Sequence, residues 1–119
     1  MQDLRPVFVE LRKIMLPYGG QLVVKTDNDT EYYVDTPHIQ KNKKPLFFGS
    51  VQIKKGFVSY HLMPLYTEPQ LLEAAPEGLK ARMQGKSCFN FKKVEGVLFT
   101  ELAELTKSGF ASYKANGFV

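Results

Sequence analysis

Leu4, Val7, Phe8, Leu11, Ile14 and Met15 recur at three- and four-residue steps, the spacing that lines one face of a helix. Arg5, Glu10, Arg12 and Lys13 fall on the other side, so this first helix needs a larger surface to pack against. Asp3 is placed to cap its start, Pro6 falls in the first turn where a missing amide costs little, and "PYGG" from Pro17 ends it. The period then drops from helical to alternating. "QLVVKT" and "EYYVDT" flank the turn residues "DND", which predicts a hairpin over residues 21–36 with an acidic turn. After a lysine-rich loop, "PHIQKNKKP", the runs "LFFGSVQI" and "FVSYHLM" flank "KKG", where Gly56 can adopt the positive φ of a tight turn.

Beyond Pro64 the alternation stops. "EPQLLEA" and "APEGLKARMQG" each place a proline at a helix start, predicting two short helices, the second closed by Gly85. "KSCFNFK" alternates again, with Ser87, Phe89 and Phe91 against Cys88, Asn90 and Lys92, as a fifth strand. Val94, Val97, Leu98, Leu102 and Leu105 form a last helical stripe, expected to break near Ser108 and Gly109. The predicted fold is a single α+β domain over residues 1–119, of order α-β-β-β-β-α-α-β-α, with a largely antiparallel sheet packed against helices.

Composition narrows the setting more than the function. With 119 residues, 44% of them hydrophobic and 24% charged, the chain is large enough to bury one core without disulfides or metal. A single cysteine, no signal-peptide pattern and no long apolar run predict a soluble protein of a reducing compartment, by default the cytoplasm, with no membrane partner. The net charge of +4 leans weakly toward anions. Lys41, Lys43, Lys44, Lys54 and Lys55 form one acid-free stretch; Lys80, Arg82, Lys86, Lys92 and Lys93 form another. Such runs read first as solvated loops, and the balance disfavours nucleic acid as a partner.

No complete catalytic or cofactor signature is present, so the cofactor stays unknown and a non-enzyme is favoured. The "GKS" at Gly85 lacks the earlier glycine of a phosphate loop, since Lys80 stands there, and it follows a helix instead of preceding one. Cys88 lies among basic residues that would lower its pKa, but a thiol enzyme also needs His38 or His61 within reach. His38, His61 and Cys88 are too scattered for a zinc-type spacing, and Asp27, Asp29, Glu31 and Asp35 lack the EF-hand pattern. We expect neither catalytic nor metal-ligating residues.

Alternation nevertheless singles out one surface. Val58, Tyr60 and Leu62 form a plain core face, leaving Phe57, Ser59, His61 and Met63 on the other side. The same reading sends Phe48, Ser50 and Gln52 to the mixed face and Phe47, Val51 and Ile53 to the core, with Tyr33, Glu31, Cys88 and Asn90 joining the mixed set. Such a face is too polar for a core and too aromatic for plain solvent, and suits a ligand cleft, half of a homodimer interface, or a surface covered by the last helix. Phe48 and Phe57 are the expected apolar contacts, Ser59, His61, Cys88 and Asn90 the polar ones, and Lys86 a nearby cation.

"FVSYHLMPLY", then "LLEAAPEGLKARMQGKSCFNFK" and "LFTELAELTKSGFASY", resemble the YdhG-like family of small bacterial domains of unknown function, across Phe47 to Gly117. The resemblance implies a frataxin-like iron chaperone as one alternative. Against it, the first helix carries only Asp3 and Glu10 among three basic residues, and a positive net charge opposes cation collection. The reading favoured by the residues is a non-catalytic domain that binds a small molecule or protein partner, with iron delivery and a Cys88-dependent enzyme as alternatives.

Overall fold

In the computed structural model, which describes residues 3–119, the first stripe forms α1 (Arg5–Met15) and buries Val7, Phe8, Leu11 and Met15. Leu4 occupies the N-cap without a side-chain bond. Asp3 acts one position upstream, its Oδ1 accepting the Arg5 amide at 3.0 Å.

The expected first hairpin is β1 (Val23–Asp27) and β2 (Glu31–Ile39). Asn28 closes the turn, its Oδ1 accepting the amides of Thr30 at 3.0 Å and Glu31 at 2.9 Å, the local bonding for which Asx residues are favoured in turns. Strand β2 continues through Pro37, His38 and Ile39, which the sequence assigned to a loop; the link to the next strand is only residues 40–44. β3 (Pro45–Lys54) and β4 (Phe57–Leu62) form the second hairpin, with Gly56 at φ 87° in its two-residue turn. The strand ends at Leu62, so Met63 turns to pack against the core instead of extending the mixed face.

Three short helical segments follow: α2 (Pro64–Thr67), a 3₁₀ turn at Pro69–Ala74 and α3 (Glu77–Lys80). Gly85 does not close a helix. α3 stops at Lys80, the next residues form β5 (Met83–Gln84), and Gly85, at φ 81°, turns the chain into β6 (Cys88–Phe91). A positive φ serves a helix end and a hairpin turn equally, so the glycine alone could not distinguish them.

The last helix, α4 (Gly96–Ala115), runs unbroken through Ser108 and Gly109. Its buried positions are Phe99, Leu102, Leu105, Thr106, Gly109, Phe110 and Tyr113, whereas Val97 is 76% exposed. Gly109 is there for close approach: a Cβ at this position would stand 2.9 Å from Pro64 Cβ.

The six strands form one antiparallel sheet of order β1-β2-β3-β4-β6-β5. The side chains of Tyr32, Val34, Val51, Val58, Tyr60, Leu62, Phe89 and Phe91 form one buried cluster with those of α1 and α4. Tyr60 Oη meets Thr106 Oγ1 of α4 at 2.6 Å, and Thr106 Oγ1 donates to Leu102 O at 2.8 Å. That chain satisfies the fully buried Tyr60 hydroxyl. Two layers result, helices on one side and a sheet whose second face is free of both long helices. Among the described residues, no helix is long and apolar enough to cross a membrane.

Candidate functional site

The open face is a lattice set by strand register. Gln52 stands opposite Ser59, and Ser59 opposite Asn90, making one cross-sheet row. Ser50 stands opposite His61, and His61 opposite Cys88, making the next. Glu31 extends the first row and Tyr33 the second, while Phe57 sits opposite Lys54 at the rim. Burial alternates accordingly: Phe57, Ser59, His61, Cys88 and Asn90 are half-buried between fully buried neighbours. The structure therefore brings Ser59, His61, Cys88, Asn90 and Phe57 to one face.

Phe48 does not join them. The pairing of β2 with β3 slips by one residue, Val34 opposing Gly49 and Asp35 opposing Phe47, and this bulge reverses the phase of alternation beyond it. Phe48 is fully buried, edge-on to Phe110 and Tyr113 of α4 at 6.0 and 5.8 Å between ring centres. Phe47 takes its place on the open face. Gly49 at the bulge admits the packing, since a Cβ there would lie 2.5 Å from the Met15 methyl and 2.7 Å from His61 O.

Phe47 stacks on Tyr33 with ring centres 4.7 Å apart and meets His61 edge-on at 4.9 Å. Tyr33, Phe47 and His61 thus form an aromatic ladder across β2, β3 and β4, beside the hydroxyl and carboxamide rows. Lys86 stands away from the face: it lies in the β5–β6 turn, its Nζ 6.0 Å from the ring centre of exposed Tyr66.

Burial at the centre of the face favours the neutral forms of His61 and Cys88. His61 Nε2 and Ser87 Oγ lie 2.7 Å apart, and burial holds the imidazole pKa below its ordinary value. Burial also pushes the Cys88 thiol up, only partly offset by hydrogen bonding from Ser59 and Ser87. The basic residues nearby in sequence do not dominate, so the site favours a thiol beside a neutral imidazole and lacks the electrostatics of a thiolate–imidazolium pair. Gln52 Nε2 donates to Glu31, which occupies that carboxylate. Asp35 is nearly buried beside Phe47, and desolvation raises its pKa.

The acidic turn is dispersed. Arg12 clamps Asp27 with contacts of 2.7 to 3.0 Å, and Glu31 and Asp35 lie at different rows of the open face. Among the described residues no three of His, Cys, Asp and Glu converge as a metal-binding cluster. His38 packs tilted against Phe118, ring centres 4.7 Å apart, and is not in the Tyr33–Ser50–His61–Cys88 row.

A concavity of about 600 Å³ opens at the β6 corner of the face, lined by Phe57 and Asn90 together with Arg82, Met83, Gln84, Lys92, Lys93 and Glu95. Phe47 and this corner are what the sequence reading missed. Phe47 could not be found without the bulge, whereas Lys92 already fell in line with Cys88 and Asn90 in the alternation of "KSCFNFK". No family model matches the chain, and neither a curated protein nor a solved structure is detectably similar to it.

Proposed function

We propose that this is a non-catalytic binding domain of the cytoplasm which holds a small molecule or a protein partner on the open sheet face. The observation that carries the reading is the Tyr33–Phe47–His61 ladder set beside the uncharged side chains of Ser59, Gln52 and Asn90 on a face that neither long helix covers. Aromatic area beside a few oriented, uncharged hydrogen-bonding groups suits recognition of a partly apolar partner. Membership of the YdhG-like family belongs to the same proposal and rests on the stretches quoted above. A fragment screen on isotope-labelled full chain, read by amide shifts, tests it: perturbations should gather at Tyr33, Phe47, Ser50 and His61 and vanish in Phe47→Ser. Perturbations confined to the α1 and α4 side would overturn it.

A further inference from the structure

The corner concavity is chemically unlike the rest of the face. Three cations, Arg82, Lys92 and Lys93, line it against one carboxylate, Glu95. Arg82 is committed to that carboxylate, Nε to Oε2 at 2.8 Å and Nη2 to Oε1 at 2.6 Å. A bidentate pair of this kind fixes both side chains as a wall. Lys92 and Lys93 form no ion pair among the described residues, so neither ammonium is tied to the carboxylate that Arg82 holds.

The carboxamides of Asn90 and Gln84 also line the concavity, and neither has a hydrogen-bond partner among the described residues. Asn90 is held in place by its backbone, whose amide donates to Arg82 O at 2.8 Å. A free carboxamide on a fixed strand offers one donor and one acceptor in a plane, the pattern that pairs with the edge of a nucleobase. Phe57 supplies an aromatic surface on the same wall, and base-on-ring stacking is a sequence-tolerant source of affinity. Glu95 is also the N-cap of α4, its carboxylate turned to Arg82 and not to the helix amides, so the positive end of a 20-residue helix adjoins the corner.

From these groups we infer that the corner binds a mononucleotide-sized ligand, its planar base against Phe57, its base edge on Asn90 and Gln84, and its phosphate on Lys92 and Lys93. Phosphate is favoured over carboxylate because the free cations are lysines, which act as point charges. The planar fork that matches a carboxylate is Arg82, and Glu95 already fills it. The volume lies within the ordinary range of small-molecule sites. This inference rests on the open-face reading only through Phe57 and Asn90, which belong to both surfaces.

Adenosine 5′-monophosphate, adenosine and inorganic phosphate, each titrated into the isotope-labelled full chain, test it. The nucleotide should shift the amides of Gln84, Asn90, Lys92 and Lys93 and bind at least about tenfold more tightly than either half, because base and phosphate contacts are made together. Lys92→Ala with Lys93→Ala should weaken nucleotide binding about tenfold or more and flatten its salt dependence. Phe57→Leu should bring the nucleotide down to the affinity of phosphate. Phosphate binding as tightly as the nucleotide, unchanged affinity in the double lysine variant, or no response at the corner would each overturn the inference. Fragment shifts at Phe47 and His61 alongside a silent corner would leave the open-face reading standing, and the converse result would remove that reading alone.

Discussion

The two faces of this sheet are built from the same strands, residue by residue, and have opposite physical characters. On the helix-covered face Val58, Tyr60, Leu62, Phe89 and Phe91 have no measurable exposure, and the Tyr60 hydroxyl is satisfied by Thr106 at 2.6 Å. On the open face their immediate neighbours Ser59, His61, Cys88 and Asn90 remain half-buried, and His61 Nε2 meets Ser87 Oγ at 2.7 Å. The covered face gains from apolar area removed from water and from dense packing. The open face contributes little stability and keeps its hydrogen-bonding capacity available. Strand alternation lets adjacent residues of one strand have these opposite environments.

Substitutions that cross this division test it, beginning with the largest effect. Phe89→Ala should destabilise by about 3–5 kcal/mol, by lost transfer energy and the cavity left behind, while Asn90→Ala next to it should stay within about 0.5 kcal/mol. Urea unfolding of the two variants measures the difference; equal losses would abolish the distinction between faces. Gly109→Ala probes the seam between α4 and Pro64. Helix propensity alone would favour alanine by about 1 kcal/mol, but a Cβ 2.9 Å from Pro64 Cβ forces the two elements apart. Net destabilisation of about 1–3 kcal/mol is expected, and a stabilised variant would mean that the seam is loose.

On the open face the expected effects are smaller and depend on pH. Burial lowers the His61 pKa below 6.5 in the folded chain, so the unfolded state takes up the proton first. Stability associated with this group is complete above 6.5 and declines as pH falls from there through the lowered folded value. His61→Gln should flatten that part of the urea midpoint–pH profile, and an unchanged slope would assign it to another group. Glu95 behaves in the same sense further down: Arg82 holds its pKa below 4.5, so its contribution is present above 4.5 and lost as pH falls through the lowered value. Arg82→Ala should remove this acid-side dependence. The least perturbing measurement is alkylation of Cys88 near neutral pH. Burial raises its pKa, so the folded protein should react more slowly than the urea-unfolded one, and faster native labelling would restore the thiol-enzyme reading.

Much of this arrangement was legible in the chain, and the exceptions share a cause. The two-residue period in "FVSYHLM" and "KSCFNFK" was enough to put His61, Ser59, Cys88 and Asn90 on one face, because neither stretch contains an irregularity. In β3 the same argument exchanged Phe47 and Phe48, since a bulge adds a residue without leaving a mark that alternation can detect. Gly49 is a hint in retrospect: a glycine within a strand often marks a bulge or a close backbone approach, and here it marks both. Gly85 and Gly109 were misread in a related way. One turns a hairpin that the short β5 makes possible, and the other lets α4 approach Pro64.

By itself, the sequence determined the α+β class, the amphipathic helices, the central hairpin and the two-faced strands, because periodicity and turn chemistry act over a few neighbouring residues. Tertiary structure alone decided which phenylalanine faces outward in β3, where the short edge strand forms, and how Arg82, Glu95, Lys92 and Lys93 meet at one corner. Each of these depends on contacts between segments far apart in the chain, where space, register and charge partners are set jointly by every element that packs there.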